Sequence, residues 1–350
     1  MEKLDVVVWH IGGGDDSIGP ADRIIKYFPD NIKLILFEVR PDSTEIGIEK
    51  IKLKSGIDAT LVTAGIAGVV GAHSFYVNKF PLSSSLLKPS QQSLSENPNW
   101  VGIRDWGENV ELKEVLNVTT TTINSLIEQG KIPAPNFISI DAQGAEFDIL
   151  KAATVALKNS VLGLVTECEY VELYEGQGLL HDQMFLLEDY GFRLVEIFSS
   201  QYWFSKEAFG KGMLTVSENL FFKNIYFGDI ELKKPRGVVA FGDIPIENLL
   251  KLAAISYAFK RYSYYIRILS EIEKRMPEKI LELSKKLNIS KVVSPYYKFK
   301  NLSPAGKRRL ELKHKIFRAM DISLKALVGK FIDPPRALFA RLVSRIDLSP

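Results

Sequence analysis

Short, unbroken apolar runs alternate with helix-like segments through the first 230 or so residues, and that alternation leaves few folds open. Val6-Val7-Val8-Trp9, Leu34-Ile35-Leu36-Phe37 and Phe137-Ile138-Ser139-Ile140 are too short for helices. They also lack the polar alternation of a strand with one wet face, so they read as strands buried on both sides. Between the first two, Pro20 opens a helix with Ile24, Ile25 and Phe28 on one side. A helix candidate near Glu45 to Lys54, a strand over Ala59 to Thr63 and a Ser/Asn/Pro-rich loop from Leu82 to Asn99 follow. After Ile140 the chain turns into a helix with Phe147, Leu150, Thr154 and Leu157 at helical spacing, then a strand over Val161 to Val165. A helix near Leu180 to Tyr190 ends at Gly191, and Arg193 to Phe198 and Leu220 to Phe222 complete the strands. This order predicts an α/β, doubly wound sheet with helices on both faces and its ligand site at the carboxyl ends of the strands.

Composition bounds the rest. A hydrophobic content of 46% against 25% charged residues supports a sizeable core and excludes disorder. No apolar run approaches a membrane span and no signal peptide is expected at the start. The single cysteine, Cys168, excludes an internal disulfide and a Cys-based zinc site, which fits a cytoplasmic setting. The net charge of +3 conceals an asymmetry: residues 1–250 carry 22 Lys+Arg against 34 Asp+Glu, residues 251–350 carry 23 against 8. We therefore expect a domain over 1–230, a linker over 231–250 and a basic helical region over 251–350. Two apolar stripes mark that last region, Ile255, Phe259, Tyr262, Ile266, Leu269 and Ile272, then Leu310, Phe317, Met320, Leu324, Leu327 and Phe331. Lys and Arg beside such stripes suit an anionic membrane surface, reached peripherally, or packing on the acidic body or a second subunit. No nucleic-acid module is recognisable.

Three stretches carry candidate chemistry. Gly12, Gly13 and Gly14 follow His10-Ile11 and lead through Asp15 and Asp16 to Ser17, giving a tight turn and close backbone approach to a ligand, without GxGxxG spacing. Glu38 ends the second strand, where an acidic residue of a nucleotide-binding sheet accepts hydrogen bonds from ribose hydroxyls. Asp15 and Asp16 would repel a pyrophosphate but favour a sulfonium cofactor, which argues for S-adenosylmethionine over NAD. Asp141 ends a third strand, with Glu146 in the first turn of the following helix, where the helix dipole also favours an acid.

The run Asn136-Phe137-Ile138-Ser139-Ile140-Asp141-Ala142-Gln143-Gly144-Ala145-Glu146-Phe147-Asp148-Ile149-Leu150-Lys151-Ala152-Ala153 resembles the "iDvEGaE..vLkGa" segment of the FkbM family of S-adenosylmethionine-dependent methyltransferases. The glycine loop, Phe37-Glu38, Ser83 to Leu86, Thr119 to Ile123, Val165 to Glu167 and Gly191-Phe192 stand in matching order, and the resemblance spans roughly residues 5–225. It implies a class I methyltransferase fold and methyl transfer to oxygen, often on sugars or secondary metabolites. By position Gly12, Gly14 and Ser17, beside Asp15, line the methionine end of the cofactor, Glu38 holds the ribose and Asp141 borders the reaction cleft. The chain departs from the pattern at His10, at Asp15-Asp16 and at Gln143, which stands in a glutamate position.

An acceptor hydroxyl must lose its proton, and a general base contributes roughly 10²–10⁴-fold. Asp141 is the first choice for that base, with His10 and Glu167 behind it; no metal site is assigned. Cys168, between two glutamates, reads as structural, and His181 as a helix-start residue. Tyr170, Tyr174, Tyr202 and Trp203 form either an aromatic platform for a sugar or core. The expected activity is S-adenosylmethionine-dependent O-methylation of a small-molecule or glycan hydroxyl. The rivals are a nucleotide-sugar or NAD oxidoreductase and a non-catalytic scaffold on the same fold.

Overall fold

The computed structural model describes residues 4–12, 19–39, 57, 59–96, 100–101, 105–205, 212–228, 237–278, 280, 282 and 290–308. Gly14, Asp15, Asp16, Ser17, the helix candidate at 45–54, residues 231–236 of the expected linker and everything from 309 onward lie outside the described residues.

In chain order the strands are β1 (Val6–Gly12), β2 (Ile32–Glu38), β3 (Ala59–Thr63), β4 (Gly65–Ile66), β5 (Gly71–Asn78), β6 (Trp100–Val101), β7 (Leu112–Thr121), β8 (Phe137–Asp141), β9 (Gly163–Glu169), β10 (Phe192–Ser205) and β11 (Met213–Lys223). Eight of them form one sheet in the order β3-β2-β1-β8-β9-β11-β10-β6. The first five run parallel, and β11 is antiparallel to both β9 and β10. This is the doubly wound class I methyltransferase arrangement expected from the sequence. The apolar runs fill it as predicted: Val8, Trp9, Phe137 and Ile138 are fully buried, and Trp9 meets Phe37 at 4.9 Å between ring centres.

From β1 the chain winds outward to β3, then returns to lay β8 on the other side of β1. That reversal opens a crevice at the carboxyl ends of β1 and β8, the place where ligands bind in such sheets. Gly12 pairs with Asp141 at this point. Its φ is 84°, and a Cβ there would lie 1.7 Å from the Asp141 carbonyl oxygen, so only glycine fits.

The structure adds elements the sequence pattern did not mark. β4, β7 and β5 make a separate three-stranded sheet, and the stretch expected as loop from Leu82 to Asn99 contains a helix, Gln91–Glu96. The helix after β8 is two, Glu146–Lys151 and Thr154–Asn159, packed through Ile149, Leu150, Ala156 and Leu157. Among the described residues no helix is long and apolar enough to cross a membrane.

Two compact units divide the chain, residues 1–293 and 294–350. The position expected to open the basic tail, Lys251, falls inside a helix of the first unit, Ile246–Ala258. Ile255, Phe259, Leu269 and Ile272 of the first stripe are completely buried, and Phe259 stacks on Phe137 at 5.4 Å at the start of β8. The helices Ile246–Ala258 and Tyr262–Arg275 thus pack on a face of the sheet, Phe259 meeting Phe137, Phe198 and Phe222. The second stripe, from Leu310, lies outside the described residues.

Candidate active site

A cavity of about 370 Å³ opens over the carboxyl ends of the parallel strands. His10 and Gly12 reach it from β1, Glu38 from β2, Asp141 from β8 and Glu167 from β9. Five site residues far apart in sequence therefore share one space. Gly14, Asp15 and Ser17 lie outside the described residues, so the loop's share of the site is seen only through Gly12 and Gly19.

Gln143 organises the centre of this cavity. Its Nε2 donates to Asp141 Oδ1 at 2.7 Å and to Glu167 Oε2 at 3.1 Å. Its Oε1 accepts from the Tyr174 hydroxyl at 3.2 Å, which also lies 2.9 Å from the Ser83 carbonyl, and its own carbonyl accepts from Ser85 Oγ at 2.7 Å. The backbone of Gln143 is left-handed, φ 52°, a conformation that costs free energy in a non-glycine residue and is held here by these four groups. A single neutral amide thus bridges two carboxylates that would otherwise repel.

The acids around it are driven toward their neutral forms. Burial, with the charges of Asp141 and Glu169, holds the Glu167 carboxyl well above the ordinary carboxylate range. Burial does the same to Glu146, followed by the charge of Glu169. Glu169 is raised to about 7, again chiefly by burial, with Asp141 adding and its own backbone hydrogen bond opposing. Glu218 is raised by burial while Ser199 and Arg23 pull it back.

Glu146 takes the structural role that its helix position offered. It is fully buried, does not line the cavity, and its Oε1 accepts from the Ala142 backbone N–H at 2.6 Å, fixing the turn after β8. Single oxygens of Asp141, Glu146 and Glu167 lie within 4.8 Å of one another, but in this chain the Gln143 amide already engages two of the three.

Of the expected aromatic platform, Tyr174 and Trp203 line the cavity and Tyr170 and Tyr202 do not. Trp106, which no sequence pattern singled out, joins them: its ring lies 5.3 Å from Trp203 and 5.5 Å from Tyr174. Glu169 and Glu218 were missed as well. Alternation along β9 beyond Glu167 is the signal that could have found Glu169. Cys168 points away, completely buried, its thiol pushed up by burial and by Glu169.

The methyltransferase FkbM domain model matches residues 12–194, more than half of the chain. The protein is a member of the FkbM methyltransferase family. Its cofactor is S-adenosylmethionine, and the oxidoreductase reading falls. Among solved structures the chain is similar to the FkbM methyltransferase from Methylobacillus flagellatus KT, at 12% identity over 63% of this chain and 44% of that one, with a TM-score of 0.35. It is also similar to MtNAS in complex with MTA and tNA, at 11% identity over 63% and 54% with a TM-score of 0.27, and to a SAM-dependent methyltransferase from Aquifex aeolicus, at 12% over 63% and 84% with a TM-score of 0.26. The chain thus spans less than half the length of the first of these. No curated protein matches it.

The residues present fit the cofactor. The half-buried Glu38 carboxylate stands beside an apolar wall of Phe37, Val39 and Ile66, which suits a ribose next to a flat base. Among the described residues the lining contains no lysine or arginine, which suits a sulfonium.

Proposed function

We propose that this FkbM-family protein is an O-methyltransferase that acts on a hydroxyl of a sugar, glycan or glycan-containing metabolite. The observation that carries the reading is the Asp141–Gln143–Glu167 unit, set at the switch point of the sheet and sharing one cavity with Glu38. Glu38 holds the ribose hydroxyls, and the missing side chain of Gly12 lets the cofactor approach the strand ends. S-adenosylmethionine supplies an electrophilic methyl group.

The acceptor hydroxyl lies against Asp141. Asp141 would orient that hydroxyl and take its proton, while S-adenosylmethionine, held by Glu38 and the strand ends, would supply the methyl group that replaces the proton and would leave as S-adenosylhomocysteine. Gln143 fixes the Asp141 carboxylate through Oδ1, so the group that takes the proton does not have to be ordered during the reaction. Burial drives Glu167 toward its neutral form, which lessens the charge beside Asp141, and His10 flanks the site from β1. Aromatic walls such as Trp203 and Tyr174 suit the apolar faces of a sugar ring.

Calorimetric titration with S-adenosylhomocysteine tests the cofactor assignment. We expect binding by the parent that weakens sharply in Glu38→Ala. The absence of binding by a folded parent would leave the scaffold reading in its place.

A further inference from the structure

We propose that the acceptor of this methyltransferase is an amino alcohol: a hydroxyl compound whose protonated amine is seated by Glu169 and Glu218 beside the Trp106–Trp203 ring pair. The inference rests on the O-methyl reading above and names the class of substrate that reading left open.

Five carboxylates line the cavity, Glu38, Asp141, Glu167, Glu169 and Glu218, and no described lining residue is a lysine or arginine. The cofactor accounts for only part of this. Glu38 ends β2 and Glu218 lies on β11, four strands away in the sheet, roughly 19 Å at the usual strand spacing. The sulfonium stands only a few bonds from the ribose that Glu38 would hold, so the acids on β9 and β11 lie beyond it. Asp141 and Glu167 have Gln143 between them. Glu169 has the Gln177 side chain beside it and Glu218 the Ser199 hydroxyl, each neutral and each serving one carboxylate.

Their placement is costly without a cation. Glu218 is the cross-strand partner of Glu167, and Glu169 lies two residues along β9, so all three occupy one face of the sheet. Like charges directly opposite one another across a ladder are destabilising. Arg23, held over the Phe198 ring at 4.4 Å, offsets part of the charge on Glu218. Glu169 has no cation beside it, and only the Gln177 side chain and its own backbone N–H favour its charge.

Two residues that border the cavity each carry a buried, unpaired polar atom. Glu169 is 1% exposed and its Oε2 has no hydrogen-bond partner; Trp106 is 4% exposed and its Nε1 has none. Buried polar groups of this kind are almost always paired, and both residues border the cavity, so a ligand settling there is the group that would complete them. An ammonium donates to Glu169, and a hydroxyl or ring oxygen accepts from Trp106. The tryptophan faces, 5.3 Å apart and inclined at 45°, add the attraction of aromatic rings for a cation. Phosphorylated acceptors meet the same carboxylates as repulsion.

Methyl transfer from radiolabelled S-adenosylmethionine tests this with three hexoses that differ at one position: glucosamine, glucose and N-acetylglucosamine. We expect kcat/KM for glucosamine to exceed both others by about 10-fold or more, with that preference lost in Glu169→Gln and weakened in Trp106→Phe. Equal use of the three, or preference for a neutral sugar, overturns the amine and leaves the O-methyl reading standing. Acceptors larger than a hexose are covered by labelling a polar metabolite extract, removing nucleosides on charcoal and applying the product to a cation exchanger at pH 5. Retained label supports the inference and unretained label overturns it. No labelled product from protein that binds S-adenosylhomocysteine overturns the methyl-transfer reading and this inference with it.

Discussion

The two ends of the central sheet bury polar groups in opposite ways. At the amino-terminal end Lys223 is 5% exposed, yet its ammonium donates to the carbonyls of Leu157 and Tyr190 at 2.6 and 2.7 Å and lies 4.2 Å from the centre of the Phe192 ring. Asn136 nearby accepts from the Val7 N–H and from Lys251 Nζ and donates to the Ser160 carbonyl. At the carboxyl end Glu146 Oε2, Glu169 Oε2, Trp106 Nε1 and Gln177 Nε2 are buried with no partner. Both ends contain charge inside the protein, so burial alone does not mark a site. Completion of the hydrogen bonding differs by degree: Asn31 Nδ2 before β2 and Ser256 Oγ are unpaired neutral groups, whereas the unpaired atoms at the carboxyl end include two carboxylate oxygens and cluster in and beside the cavity, where a ligand finishes the network.

The sharpest way to break this comparison is to remove one charge at each end. Asp141→Asn keeps the shape of the site but takes away the proton acceptor, and we expect turnover to fall by roughly 10²–10⁴-fold with S-adenosylhomocysteine affinity retained. Full turnover in that variant would remove Asp141 from the mechanism. Lys223→Met does the reverse. It strips two carbonyls of a charged donor, and we expect a loss of about 3 kcal/mol in stability, read by denaturant unfolding, with turnover per folded molecule unchanged.

Titration separates the ends next. Glu146, Glu167 and Glu169 hold their protons more tightly in the folded chain than in the unfolded one, whose glutamates titrate near 4.5. Between those values the folded state binds more protons, so stability is greatest below about pH 4.5 as far as these groups are concerned and declines as pH rises, for Glu169 up to about 7. Glu169→Gln removes one contribution, so its stability should depend less steeply on pH from 4.5 to 7 than the parent's, by up to about 1.4 kcal/mol per pH unit. Identical slopes in both proteins would show that Glu169 is already ionised in the folded state.

How far this division could be read from the sequence depends on how local each feature is. The runs at Val6, Leu34 and Phe137 announced strands because each is buried on both faces, and a strand end then placed Glu38 and Asp141 in the crevice with no further information. β5 and β7 escaped because their partner is mostly solvent: Leu112 and Val115 are exposed, so no apolar run marks them. The Gln143 clamp could not be read either. Its tyrosine lies 31 residues later in the chain and that tyrosine's other partner, Ser83, lies 91 residues before the tyrosine, a meeting that only the closed sheet arranges. The stripe on Ile255 and Phe259 was visible, but an apolar stripe carries no record of what covers it. The pattern assigns it to a separate basic region, whereas it packs on the sheet through Phe259, against Phe137, Phe198 and Phe222.

The smallest effect is the most discriminating. Replacing Trp106 by 3-benzothienylalanine, which carries sulfur in place of the indole N–H, keeps the bicyclic ring against Trp203 and Tyr174 and deletes only an N–H that has no partner, so stability should change by no more than about 0.5 kcal/mol. Asn136→Ala deletes a side chain whose three partners are all in place, and should cost about 1–3 kcal/mol by leaving the Val7 N–H unpaired inside the protein. Unfolding curves of the two variants beside the parent measure the contrast directly. Were the tryptophan substitution the more damaging, the indole N–H would already be bonded within the fold, and the carboxyl end would be as closed as the other.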